Sequence, residues 1–128
     1  MEIGAKFKTT LKVSEKDTAV SHGSGTLTVL ATPRMVALME EASYKCIEKY
    51  LDADMSSVGT YMEVKHLSAT PVGMEVFAES ELVEVDGRRV VFLVKAYDEK
   101  GLIGEGKHER FIVSSEKFLN RTYQKLEK

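Results

Sequence analysis

This chain of 128 residues has one cysteine and no apolar run long enough to cross a bilayer. Cys46 alone cannot form an internal disulfide, and its place among apolar residues indicates a small core residue, not a nucleophile. A transmembrane helix needs roughly 18 consecutive apolar residues, and the first ten residues lack the hydrophobic segment of a secretory signal. We therefore expect a cytoplasmic protein that is not embedded in a membrane.

Charge of either sign is nearly balanced, since 18 basic and 20 acidic residues give a net charge of −2. Such a chain has no basic surplus for binding nucleic acid or an anionic membrane, although a local basic patch could hold a phosphorylated ligand. The three histidines, His22, His66 and His108, lie far apart in the sequence and show no metal-ligand spacing. We expect neither a metal site nor a nucleic-acid partner.

An amphipathic helix is predicted over residues 32–51. At about 100° per residue its charged residues gather in one sector, and the opposite sector is apolar. Thr32 and Pro33 suit its start, because a threonine side chain can cap the first free N–H groups and proline favours the first helical position. Glu40 falls inside the apolar arc. A carboxylate held there must find hydrogen-bond partners or lose its charge, which makes Glu40 a catalytic candidate.

Strand-like alternation predicts a first strand at residues 5–13, before the helix, and four strands after it, at 59–69, 74–85, 88–97 and 102–113. Asp86-Gly87 is a strong hairpin signal. We expect the last four strands to form an antiparallel meander, with a short helix at 116–126. The order β-α-β-β-β-β predicts a single α+β domain over residues 1–128 with the hotdog fold, in which a sheet curls around one long helix.

His66 shares its predicted strand face with Thr60, Met62 and Val64, and this face should point toward the helix. An inward histidine on the sheet and an inward glutamate on the helix form a plausible acid-base pair. Each residue also has an ordinary structural interpretation: an inward histidine is often a satisfied core residue, and a threonine before proline is often only a cap.

The combination of motifs resembles a family. It consists of Ala31-Thr32-Pro33, the segment from Met35 to Glu40, Val58-Gly59-Thr60, His66, Ala69-Thr70-Pro71 and His108-Glu109-Arg110. In order and spacing these are similar to the hotdog acyl-CoA thioesterases typified by fluoroacetyl-CoA thioesterase. The resemblance implies hydrolysis of an acyl-CoA thioester, with no cofactor besides the coenzyme A of the substrate.

By this resemblance Thr32, Glu40 and His66 match the catalytic threonine, glutamate and histidine of the family. The chemistry is consistent, because thioester hydrolysis needs a nucleophile or activated water and stabilisation of charge on the carbonyl oxygen. The backbone N–H near Gly59 is a candidate oxyanion contact. Arg110 is a candidate partner of Glu40 or of a CoA phosphate, or simply a surface charge on a strand.

The connection that precedes the helix carries Gly23-Ser24-Gly25, whose backbone could approach the pantetheine arm or could form only a flexible turn. In the fluoroacetyl-specific enzyme the corresponding segment is longer and its aromatic residues cover the acyl group. Residues 17–30 contain no aromatic residue here. We therefore expect a short or medium acyl-CoA substrate without fluoroacetyl selectivity.

Eight residues of helix span about 12 Å, so Thr32 and Glu40 of one chain cannot bond to each other directly. Either His66 and the substrate lie between them or a second subunit completes the site, and the resemblance implies a homodimer or a dimer of dimers. Two other functions stay open. One is a noncatalytic acyl-CoA binding or sensing module. The other is an enoyl-thioester hydratase, although the aspartate and histidine pair typical of that chemistry is absent near the helix.

Overall fold

The computed structural model describes residues 1–128. Its strands are β1 (Lys6–Lys12), β2 (Met55–His66), β3 (Glu75–Asp86), β4 (Arg89–Asp98) and β5 (Gly101–Ser114). Its helices are α1 (Ala19–His22), α2 (Thr32–Glu48) and α3 (Ser115–Tyr123), with single 3-10 turns at Glu15–Asp17 and Gln124–Leu126. No helix is both long enough and apolar enough to cross a membrane.

The five strands form one antiparallel sheet in the order β1-β3-β4-β5-β2. Strands β3, β4 and β5 form the expected meander, with Asp86 and Gly87 at the first hairpin. The expectation that β2 continues this meander is wrong, because β2 pairs with β5 and not with β3. Residues 67–74 are too many for a tight hairpin, and they cross the end of the sheet, where the N–H groups of Leu67 and Ser68 donate to the carbonyl of Ile103. Strand β2 is thus an edge strand.

Helix α2 packs its apolar side against one face of this sheet. The side chains of Met35, Leu38, Met39 and Ile47 are completely buried, as are Leu82 and Phe92 on the strands beneath them. The helix ends three residues before the predicted boundary, because Tyr50 and Leu51 donate to the carbonyls of Ile47 and Glu48 in tighter three-residue turns.

Two hydroxyl groups of the sheet donate to backbone carbonyls in the middle of α2. Thr9 on β1 donates to the carbonyl of Leu38 at 3.0 Å, and Ser80 on β3 donates to the carbonyl of Ala42 at 2.7 Å. Both side chains are buried, where such bonds each contribute roughly 0.5–1.5 kcal/mol. They attach α2 to the half of the sheet that lies away from β2.

The connection between β1 and α2 is more ordered than its polar sequence indicated. The buried carboxylate of Asp17 accepts from the backbone and hydroxyl of Ser14 and from Nε of Arg34, at 3.1 Å for the arginine. Burial alone would raise the pKa of Asp17, but the hydrogen bonds from Ser14 and the Arg34 guanidinium outweigh it and lower that pKa. The segment is therefore held against the first turn of α2.

Candidate active site

The hydroxyl of Thr32 does not cap α2. Ala31 occupies the N-cap position, with φ −67° and ψ 137°, so Thr32 already lies in the first helical turn and the predicted capping role is wrong. Its Oγ1 instead lies 2.7 Å from Nδ1 of His66, a hydrogen bond that joins the start of α2 to the end of β2. The helix start therefore presents the hydroxyl to a histidine, not to its own backbone.

His66 points to the helix side of the sheet, as predicted, together with Met62 and Val64, which pack on the core. The bulge in β2 between Gly59 and Tyr61 removes Thr60 from this face, and Thr60 is exposed. Burial lowers the pKa of His66, partly offset by the backbone of Ser68, so the ring is neutral near pH 7.

The second ring nitrogen of His66, Nε2, is buried and has no hydrogen-bond partner. Buried polar atoms are nearly always paired in folded proteins, and unpaired ones are often found where a ligand or water binds. If Thr32 donates to Nδ1, the neutral ring carries its hydrogen on Nε2, which is then a free donor. A Thr-His pair with one open nitrogen can move a proton or donate to a carbonyl oxygen.

A cavity of about 300 Å³ opens beside this pair, lined by Ser24, Thr32 and His66 together with Ala19, Val29, Leu30, Leu67, Ser68 and Ala69. Of the predicted Gly23-Ser24-Gly25 contacts, only Ser24 lies on the cavity. Gly23 ends α1 in the left-handed conformation, with φ 67°, and Gly25 packs closely on Ala19. The two glycines shape the turn that presents Ser24.

Glu40 lies elsewhere, half-buried, two turns further along α2 and facing β2 and β5. Its Oε2 is so close to Gly59 that a Cβ atom there would sit 3.1 Å from it. Glu40 takes part in none of the ion pairs of the molecule, and no hydrogen bond joins it to Thr32 or His66. The predicted acid-base pair of Glu40 and His66 is therefore not formed within one chain.

Arg110 is buried, only 8% exposed, so its interpretation as a surface strand charge is wrong. Its Nε and one terminal nitrogen donate to the hydroxyl and carbonyl of Ser57 on β2, both at 2.8 Å, and its guanidinium lies 5.8 Å from the ring centre of Tyr44. Burial lowers the pKa of Arg110 and the charge of Glu40 opposes this effect. The guanidinium of Arg110 stays charged. It attracts the Glu40 carboxylate electrostatically, but no nitrogen of Arg110 lies within 4.0 Å of an oxygen of Glu40.

His108 was not among the predicted site residues, yet it lies between Arg110 and β2. Its Nδ1 lies 2.8 Å from the carbonyl of Tyr61, which only accepts, so Nδ1 carries the hydrogen. Burial lowers the pKa of His108, so Nε2 of the neutral ring accepts from Arg110 at 3.2 Å. The available signal was its spacing of two from Arg110, which puts both on one strand face.

The structure therefore separates the predicted residues into two groups. Thr32, His66 and Ser24 form one group, and Glu40, Gly59 and Arg110 form the other, with His108 added. Gly59 and His66 are seven residues apart on β2, which corresponds to roughly 20 Å of strand. Each group holds part of the chemistry that hydrolysis needs: a polarised hydroxyl and imidazole in one, and a carboxylate beside a buried cation in the other.

Comparisons with known proteins identify the family. The model of the family described as fluoroacetyl-CoA-specific thioesterase matches residues 13–116. The fluoroacetyl-CoA thioesterase of Streptantibioticus cattleyicolor is 42% identical over 97 residues, which cover 76% of this chain and 70% of that protein.

Solved structures extend the similarity to the fold. A mutant fluoroacetyl-CoA-specific thioesterase in complex with fluoroacetate and CoA superposes with a TM-score of 0.87 at 35% identity, over 92% of this chain and 99% of the other. A hot-dog-like protein from Thermanaerovibrio acidaminovorans gives a TM-score of 0.87 at 25% identity, over 98% and 93%. The predicted hotdog fold is confirmed.

Proposed function

This chain belongs to the fluoroacetyl-CoA-specific thioesterase family, and on that basis we propose that it hydrolyses short or medium acyl-CoA thioesters to the free acid and CoA by means of Thr32, Glu40 and His66. The observation that carries the proposal is the 2.7 Å contact between Thr32 and His66 at the edge of a cavity, with the second nitrogen of His66 left without a partner. The substrate supplies coenzyme A, and the reaction needs no other cofactor.

The proposed roles follow from the environment of each group. Glu40, whose carboxylate lies beside Gly59 together with the buried guanidinium of Arg110, acts as nucleophile or as the base that activates water. Thr32 positions the water or the carbonyl, and His66 donates a hydrogen bond from Nε2 to the oxygen on which charge develops. When Glu40 acts as the base, it takes a proton from the attacking water as the new C–O bond forms, and that proton passes to the CoA thiolate as the C–S bond breaks. The backbone at Gly59, exposed beside Glu40, offers a further donor for that oxygen.

A homodimer would bring the two groups of residues together. Strand β2 pairs on one side with β5 and is free on the other, and unpaired edge strands favour pairing with a second chain. If two β2 strands pair antiparallel about a point midway between Gly59 and His66, position 59 of one chain faces position 66 of the other. Thr32 and His66 would then share a site with Glu40 and Arg110 of the partner subunit. A dimer of dimers would keep this arrangement.

Subunit mixing tests the proposal. Thr32→Ala and Glu40→Gln should each lower turnover by about 10²- to 10⁴-fold, the usual contribution of acid-base groups. A mixed dimer has one site with both wild-type residues. Since half of randomly exchanged dimers are mixed, about a quarter of wild-type turnover should return.

Glu41→Gln is the matched control, because Glu41 is the adjacent carboxylate and pairs with Lys45 on the outer side of α2. It should keep full activity. No recovery in verified mixed dimers would place Thr32 and Glu40 in the same-chain site. Binding of acyl-CoA with no release of CoA by the wild-type protein would identify a binding module instead.

A further inference from the structure

One large cavity lies away from both groups of catalytic candidates. It has a volume of about 550 Å³ and lies between α3 and the adjoining ends of β4 and β5. Three cationic side chains surround it, and three neutral polar side chains complete its polar lining: Arg88, Lys117, Arg121, Ser114, Asn120 and Gln124. Lys117, Arg121 and Gln124 follow the spacing of one helix face, so α3 presents them together.

The three cations of this basic cavity have no partners of opposite charge. None of the ion pairs in the molecule includes Arg88, Lys117 or Arg121, and no acidic residue lines the cavity. The chain as a whole is slightly acidic, with a net charge of −2. Three uncompensated cations around one concave site, on a protein with no general excess of positive charge, indicate a site for an anion with several negative charges.

We propose that the basic cavity binds the phosphate groups of the nucleotide portion of CoA, an inference that rests on the function proposed above. Coenzyme A carries a diphosphate and a 3′-phosphate. Arginine guanidinium groups match phosphate geometry with paired donors, and a lysine adds a point charge. The amide and hydroxyl groups supply further donors, and the half-exposed ring of Phe118 in the same cavity offers a face for adenine.

The position of the basic cavity fits this ligand. Ser114 and Arg110 lie on the same strand, four residues apart, which corresponds to about 13 Å. A nucleotide held in the cavity would leave the pantetheine arm to run along β5 toward Glu40 and Arg110. His66 pairs with Gly104, at the far end of β5, about 30 Å from Ser114. The nucleotide site therefore belongs to the carboxylate half of the shared active site.

Titration with adenosine 3′,5′-bisphosphate tests the cavity without any hydrolysis. The triple variant Arg88→Ala, Lys117→Ala, Arg121→Ala should bind at least about tenfold more weakly than the wild type, because each charged hydrogen bond to phosphate is worth about that factor. The control Lys6→Ala, Lys8→Ala, Lys95→Ala removes the same charge from exposed positions on β1 and β4 and should bind within about twofold of the wild type. Equal binding by the two triple variants, or no binding by the wild type, would overturn the proposal.

Kinetics separate a nucleotide site from a general structural effect. For butyryl-CoA the cavity variant should show a KM raised by about tenfold or more with kcat unchanged. For butyryl-pantetheine, which lacks the nucleotide, both constants should match the wild type. If KM rises for both butyryl-CoA and butyryl-pantetheine, the cavity does not bind the nucleotide portion of CoA. Failure of the proposed function would appear differently, as no hydrolysis of either substrate by the wild-type protein, and the bisphosphate titration would still decide whether the cavity binds phosphate.

Discussion

Gly59→Ala adds one methyl group at the point where the carboxylate group of the site is most crowded. The new Cβ would lie 3.1 Å from Oε2 of Glu40, 3.3 Å from Cε1 of His108 and 3.5 Å from a terminal nitrogen of Arg110. Gly59 does not have a positive φ, so alanine can adopt its backbone conformation without strain. The effect of the substitution therefore comes from the side chains around it, and Glu40 must move by a few tenths of an ångström.

The expected cost to stability is modest, whereas the expected cost to turnover is larger. Overpacking a tightly packed site lowers the free energy of unfolding by about 1–3 kcal/mol. Replacing glycine by alanine also reduces the conformational freedom of the unfolded chain, which offsets about 0.4–1 kcal/mol of this loss. A catalytic group displaced by 1 Å can cost about 10²-fold in rate, so a smaller shift of Glu40 should lower kcat by about 10-fold or somewhat more.

The assay compares kcat for butyryl-CoA with the denaturant midpoint, using Gly87→Ala as the matched control. Gly87 lies in the hairpin turn with φ 61° and no atom within 4 Å of the added Cβ, so this variant should lose about 1 kcal/mol of stability and keep full turnover. In a Glu40→Gln background, Gly59→Ala should lower the residual kcat little further, because the side chain that it displaces is no longer a catalytic carboxylate. Full turnover by Gly59→Ala, or losses that multiply in the double variant, would refute the placement of Glu40 in the site.

Three further predictions concern pH and substrate. The pKa of Asp17 is lowered in the folded state, so its contribution to stability is present above its unfolded pKa of about 4 and is lost as pH falls through the lower folded value. Asp17→Asn should cost about 1–3 kcal/mol in urea unfolding at pH 7, and this cost should shrink as pH falls below about 4. Burial lowers the pKa values of His66 and His108, so the free energy of unfolding should decline as pH falls below about 6.5, the pKa of an unfolded histidine. The value of kcat/KM should fall at a lower pH, where His66 of the folded protein is protonated. If the free energy of unfolding and kcat/KM both stay constant between pH 7 and 5, this prediction is wrong. Specificity constants for acetyl- and fluoroacetyl-CoA should differ by well under about 200-fold, the upper limit for one small substituent, because no aromatic side chain from residues 17–30 lines the cavity beside Thr32 and His66. Butyryl- and hexanoyl-CoA, compared in the same assay, should also be hydrolysed.

Local patterns in the sequence predicted the helices and strands of this fold. They could not predict which strands pair with each other in the sheet. Alternation and turn residues located each strand to within a few residues, except that β2 begins at Met55, four residues earlier than expected. The pairing of β2 with β5 depends on a connection that crosses the sheet, and nothing in the strand pattern itself distinguishes that partner from β3. A meander is only the shorter of two arrangements that satisfy the same alternation.

The site shows the same limit on a smaller scale. The periodicity of the sequence correctly predicted that His66 points toward the helix and that Glu40 lies near the core. It could not show that the hydroxyl of Thr32 forms a hydrogen bond with an imidazole more than thirty residues away in the sequence, instead of capping the free N–H groups of its own helix. Nor could it show that Arg110 would be buried, because a charged residue on a strand is usually exposed unless a partner is available, and that partner, Ser57, comes from the neighbouring strand.

The bonds from Thr9 and Ser80 to the carbonyls of Leu38 and Ala42 fix the rotation of α2 about its own axis. Glu40 is two residues from each of these positions, and therefore points to nearly the opposite side of the helix. A side chain whose tip lies 5–6 Å from the axis moves by about 1 Å for every 10° of rotation, a shift large enough to impair catalysis. The direction of the Glu40 carboxylate is thus set by β1 and β3, two strands that lie away from β2 in the sheet.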